Sequence, residues 1–168
     1  MSVIRDQLRA LGFEPTPGGA LAEANTDLAS QLSELIQVEL PDDYKTFLAE
    51  FPHTGTLDVG VVCVGLVTAH FAPDGAYTSE LLFASSTKPH EDILAVRRIQ
   101  MRDAEIPLCV LLIGEDLFGD FYCMDLRPES FGKIYFWNHE QRIEDGLYLV
   151  ANDFKSFIGN LRRKDPEE

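Results

Sequence analysis

The chain has 168 residues, 45% of them hydrophobic, which is enough for one domain with a substantial core and argues against large-scale disorder. Acidic residues outnumber basic ones 28 to 14, a formal net charge of −14. That balance argues against a nucleic-acid backbone or an anionic membrane surface as partner, since both are bound through Lys and Arg. A basic protein would be attracted to such a chain, although acidity also serves solubility alone.

The Met1–Asp6 start has no apolar core and no small-residue cleavage site, so no signal peptide is expected. No stretch approaches the roughly 18 apolar residues that span a bilayer. Ser2 is placed to cap a first helix with Ile4, Leu8 and Leu11 on one face, ended by Gly12. Pro15-Thr16-Pro17-Gly18-Gly19 breaks the chain, as a flexible joint or as a tight turn. Asn25 or Thr26 then caps a second helix with Leu28, Leu32, Leu35 and Ile36 at helical spacing. Pro41 suits a first helical position, and Asp42-Asp43 complement the positive helix end. Tyr44, Phe47, Leu48 and Phe51 follow at i, i+3, i+4 and i+7, an apolar stripe expected to be core.

Val59 to Val67, rich in β-branched residues, reads as one or two strands, and Pro73-Asp74-Gly75 as a turn. Leu81-Leu82-Phe83 reads as a short strand, and Pro89 to Met101 as a helix with a weak face of Ile93, Val96 and Gln100. Leu108 to Ile113, Phe121 to Leu126 and Lys133 to Trp137 are three apolar runs separated by turns at Gly114–Gly119 and Arg127–Gly132. They predict an antiparallel meander. The first run is apolar throughout, which suits a central strand covered on both faces. Leu147 to Val150 adds a strand, and Asn152 caps a last helix carrying Phe154, Phe157, Ile158 and Leu161. Arg162-Arg163-Lys164 then sit at its negative end, and Asp165 to Glu168 should fray. Cys63, Cys109 and Cys123 each lie in an apolar run without a C-x-x-C pair, and are expected to be buried reduced thiols of a cytoplasmic protein.

The order of these pieces carries a resemblance. An apolar strand leads into the acidic turn Ile113-Gly114-Glu115-Asp116…Gly119-Asp120, then a strand ending Met124-Asp125-Leu126, then Gly132-Lys133-Ile134-Tyr135 and Asn138-His139-Glu140. Upstream stands the helix start Leu40-Pro41-Asp42-Asp43-Tyr44-Lys45-Thr46-Phe47-Leu48. Together with the last helix, the chain resembles the SUKH superfamily over roughly residues 25–162. Two departures stand out. The Gly-rich turn that usually follows the LP helix is here Pro52-His53-Thr54-Gly55, and Tyr77 to Arg102 shows no close resemblance to the family.

The resemblance implies an α+β fold: a curved, mostly antiparallel sheet with helices packed on one side. It implies one SUKH-like domain over residues 1–168, with an N-terminal helix and connector over 1–24, the core over 25–162 and a tail over 163–168. The function it implies is an immunity protein that neutralises a toxin, often a nuclease. The alternatives are a regulatory scaffold like the family's yeast regulators of cell-wall glucan synthesis and, further off, a small-molecule enzyme.

The residues themselves point away from catalysis. No G-x-S-x-G elbow is present, and His53, His70, His90 and His139 are scattered without metal-ligand spacing. Cys123 and His139 are the nearest approach to a nucleophile and base, but strand alternation puts Cys123 with Phe121, toward the core. Glu115, Asp116, Asp120 and Asp125 are the densest acidic group near the meander, without an EF-hand pattern. The similar "D-H-E" of the family has no catalysis attached, and Asn138 stands where that pattern often has Asp. No metal, cofactor or catalytic residue is therefore expected. The expected partner-binding residues are Asp42, Asp43, Glu115, Asp116, Asp120, Trp137, His139 and Glu140, with the carboxylates steering a basic toxin if they face solvent. Self-association, through a strand edge or the Trp137 region, is left open.

Overall fold

The computed structural model describes residues 2–103 and 106–165. In chain order the elements are α1 (Val3–Ala10), β1 (Glu14–Pro15), α2 (Pro17–Leu21), α3 (Leu28–Ile36), α4 (Asp42–Glu50), β2 (Gly55–Thr56), β3 (Val61–Val64), β4 (Ala76–Thr78) and β5 (Leu81–Leu82). They continue as α5 (Ile93–Arg102), β6 (Val110–Glu115), β7 (Phe121–Asp125), β8 (Ile134–Trp137), α6 (Ile143–Gly146), β9 (Leu147–Ala151), α7 (Phe154–Gly159) and β10 (Leu161–Arg163). The fold is α+β, and every pairing between these strands is antiparallel.

The expected meander, β6-β7-β8, is the centre of the main sheet. Among the described residues that sheet has the order β1-β2-β5-β6-β7-β8-β9. Val110 to Gly114 are all buried, as a central strand covered on both faces requires. One face carries Tyr122, Phe136 and Tyr148 in a row across three strands. A second, three-stranded sheet, β10-β3-β4, packs on it together with α7. Tyr77 of β4 lies 4.8 Å from Phe136, and Phe157 of α7 lies 4.9 Å from Tyr122. The Tyr122 hydroxyl donates to the carbonyl of Thr78 at 2.7 Å, which ties the two sheets together.

The helices follow their apolar faces. Ile4, Leu8 and Leu11 of the first helical segment join the same buried cluster as the sheet, so this helix docks on the core. Tyr44, Phe47 and Leu48 are buried, and Phe47 packs 5.0 Å from Phe154. Phe51, at the end of that stripe, is only partly buried. The weak face predicted over Pro89 to Met101 becomes α5, with Ile93, Val96 and Gln100 buried and the Asp92 side chain accepting from the Ala95 amide.

Several expectations are corrected. The Pro15 to Gly19 break is neither a flexible joint nor a plain turn. Glu14 and Pro15 pair with Thr56 and Gly55, and Thr16 caps α2 by accepting from the Gly19 amide. Neither Asn25 nor Thr26 caps α3. Asp27 takes that position, because the Asn25 side-chain Oδ1 accepts from the Asp27 amide and tightens the turn ahead of the helix. Pro41 stays extended before the first helical residue, Asp42, and only its carbonyl joins the helix. Asp153, not Asn152, caps α7, accepting from the Ser156 amide at 2.7 Å. Leu161, Arg162 and Arg163 leave the helix altogether and pair with Cys63, Val62 and Val61 as β10. Arg163 also pairs with Asp58. Cys63 and Cys123 are buried as expected, but Cys109 is exposed because the sheet begins only at Val110. The fraying expected of the tail falls, from Pro166 onward, outside the described residues.

Candidate functional site

The turn between β6 and β7 is Asp116-Leu117-Phe118-Gly119-Asp120, an apolar pair held between two aspartates. Asp116 is the staple. Its Oδ1 accepts from the amides of Phe118 and Asp120, at 2.8 and 2.9 Å, and its Oδ2 accepts from the Thr78 hydroxyl at 2.6 Å. Its own amide donates to the Asp120 carbonyl at 2.9 Å, closing the loop. Gly119 takes φ +83, a left-handed conformation that a side chain would strain. The carboxylate therefore points inward, at 3% exposure, and the apolar pair is turned out, with Leu117 55% and Phe118 72% exposed.

Asp120 carries the next link. Its Oδ1 accepts from the His139 amide at 2.9 Å and lies 2.6 Å from His139 Nδ1. The turn is thereby clasped to the loop that follows β8. In that loop Glu140 is exposed and its amide donates to Asn138 Oδ1. Trp137 is buried, stacked 5.8 Å from Phe121, and its indole N–H donates to the Gln141 carbonyl.

Two concavities flank this clasp. A cleft of about 580 Å³ is lined by Trp137, His139, Glu140, Arg142 and Glu144, together with Asp103 at the end of α5. A smaller one, about 260 Å³, is lined by the rings of Phe71, Tyr77, Phe118 and Phe136 and by Asp116 and Asp120. Phe71 is 40% exposed and is held by an edge contact with Tyr148 at 5.3 Å.

The structure thus gathers Asp116, Asp120, Trp137, His139 and Glu140 into one region, with Glu115 adjoining. Glu115 is only partly exposed, and its carboxyl is raised above the usual range by burial first and by the nearby charge of Glu80 second, against a smaller opposing pull from His90. The solvent exposure expected of the acidic turn is missing at Asp116, which is an internal acceptor. Asp42 and Asp43 are engaged elsewhere. Asp42 pairs with Lys45 at 2.9 Å, and Asp43 accepts from the amides of Tyr44 and Lys155, fastening α4 to the start of α7. Asp125, the fourth member of the acidic group, is fully buried and bound by Arg127 and Ser130.

Sequence reading missed Phe71, Leu117 and Phe118. For the last two a signal was present, since an apolar pair inside an acidic, Gly-bearing turn has no core to enter. Nothing in the sequence linked Phe71 to them.

The expected weakness of a Cys–His reading has a physical basis here. Cys123 is buried opposite Leu112 and Tyr135 on the neighbouring strands, and burial pushes its thiol well up, while the His139 ring is engaged by Asp120. Burial also raises Cys63, to about 12. Among the described residues no three His, Cys, Asp or Glu side chains come together as a metal site, and no helix is long and apolar enough to cross a membrane.

A family model described as SMI1 / KNR4 family (SUKH-1) matches residues 24–160, which include the main sheet from β2 to β9 and both sides of the clasp. No curated protein matches the chain.

Proposed function

The chain belongs to the SMI1 / KNR4 family (SUKH-1), and from that premise we propose that it is a cytoplasmic immunity protein that binds and neutralises a basic toxin domain without catalysing a reaction. The observation that supports the reading is the turn at Leu117-Phe118. A buried carboxylate and a positive-φ glycine fix the backbone of a turn that turns two large apolar side chains out into water, on a molecule of net charge −14. Keeping such groups exposed costs solvation that a monomer gains nothing from, and pre-organised aromatic anchors are the usual energetic centres of protein interfaces. The surrounding negative charge would speed encounter with a basic partner.

The test is co-expression with the toxin domains encoded beside this chain's own gene. Protection of growth together with a stable complex is the expected result. Phe118→Ala should then raise the dissociation rate at least tenfold, as loss of a central aromatic anchor does. Failure to protect against any neighbouring product, with the chain folded and abundant, would sink the toxin reading.

A further inference from the structure

We infer that the smaller cleft beside the clasp is a receptor for a single cationic side chain of the partner, an arginine in preference to a lysine. This deepens the proposed function and rests on its premise that the partner is a basic protein. The volume, about 260 Å³, lies below the roughly 300–1,000 Å³ of sites that enclose whole small molecules, so one side chain suits it better than a cofactor. Its lining combines two kinds of group that are rarely useful together except to a cation. Phe71 and Phe118, both exposed, stand at its mouth, and the buried rings of Tyr77 and Phe136, 4.8 Å apart, form its floor. Aromatic faces attract a cation through the negative side of the ring quadrupole.

The remaining lining is anionic. Asp116 has its oxygens engaged by Thr78, Phe118 and Asp120, but its charge stays in the wall. On Asp120 both contacts with His139 fall on Oδ1, and among the described residues no donor reaches Oδ2. No lysine or arginine among the described residues lines the cleft. An apolar partner side chain seated here would strip water from the Asp120 carboxylate without replacing it, whereas a cation would compensate it and the buried charge of Asp116. A guanidinium is planar, weakly hydrated and able to stack on rings while donating in its plane to a carboxylate, which a lysine ammonium cannot do.

The experiment is an NMR titration of the full chain with N-acetyl-arginine N-methylamide, beside the citrulline counterpart as a neutral isostere. The expected result is a shift of the Phe71, Tyr77, Phe118 and Phe136 ring signals by the arginine probe, with the citrulline probe about fivefold weaker or worse. Phe118→Leu should weaken the arginine probe by a similar factor while Phe118→Tyr retains it, and Phe118 is exposed enough that neither change threatens the fold. Equal shifts from both probes, shifts confined to the Trp137 cleft, or full affinity in Phe118→Leu would each overturn the inference. The two readings fail separately. Arginine binding here without any toxin complex would leave the cleft's chemistry standing and remove the immunity function. A toxin complex with no arginine response at these rings would do the reverse.

Discussion

Asp116 accepts three hydrogen bonds from within the fold, two of them from the backbone of the turn it precedes. Asp116→Ala would leave two amides and the Thr78 hydroxyl without their acceptor, at a cost of about 2–4 kcal/mol. A urea melt checks this, and a loss below about 1 kcal/mol would mean the turn holds itself without the carboxylate. Glu115, one residue earlier, behaves in the opposite sense. Its carboxyl is raised by burial and then by Glu80, so the folded state favours the protonated form. The associated stability is fully present below the unfolded carboxyl pKa, about 4.3, and is lost as pH rises through the higher folded value. Glu115→Gln should therefore raise the denaturation midpoint at pH 7 and leave it nearly unchanged at pH 4. Equal effects at both pH values would show that charge is not what strains this position.

At the scale of elements, α4 and α2 carry opposite lessons. The Phe47 ring of α4 sits against Tyr44, Phe51 and Phe154, fully inside the core. Phe47→Ala should cost about 3–5 kcal/mol in a denaturant melt, and a loss below about 1 kcal/mol would contradict this packing. The short helix α2 is held by close approach. A Cβ on Gly19 would fall 2.2 Å from the Thr54 carbonyl oxygen, and that oxygen also accepts from the Thr16 amide. Gly19→Ala should therefore push α2 off the sheet edge and cost about 1–3 kcal/mol. Unchanged stability, with hydrogen exchange at Thr16 also unchanged, would show that the backbone there yields freely.

At the scale of the molecule, 28 acidic residues against 14 basic ones must be folded into one small volume. Self-repulsion of this kind opposes the compact state. Raising salt from about 10 mM to about 150 mM shortens the screening length from about 30 Å to about 8 Å. Ion pairs at the surface such as Lys164–Asp74 and Lys45–Glu39 lose little by this, because such pairs contribute little. The thermal midpoint should accordingly rise by a few degrees in that interval, as calorimetry can measure. A fall would mean that local pairing outweighs the net charge.

What the sequence determined by itself is whatever depends on local period and local chemistry. Ile4, Leu8 and Leu11, or Tyr44, Phe47 and Leu48, recur at helical spacing, and the runs from Leu108 to Trp137 are long enough to read as strands between turn residues. The family's order of motifs was legible for the same reason. Apart from the short strand at Leu81–Leu82, elements too short to have a period were not. The strands Glu14–Pro15, Ala76–Thr78 and Leu161–Arg163 exist because distant segments supply their hydrogen bonds, and Leu161 fitted a helical stripe until its pairing with Cys63 claimed it. The candidate site divides along the same line. Its acidity and its Gly119 turn are visible in the chain, but whether Asp116 faced water or the core depended on Thr78, 38 residues away. The aromatic cleft depended on bringing Phe71 beside Phe118. Contacts of that kind arise only when sheets pack, since no local propensity encodes which side of a turn a remote hydroxyl or ring will occupy.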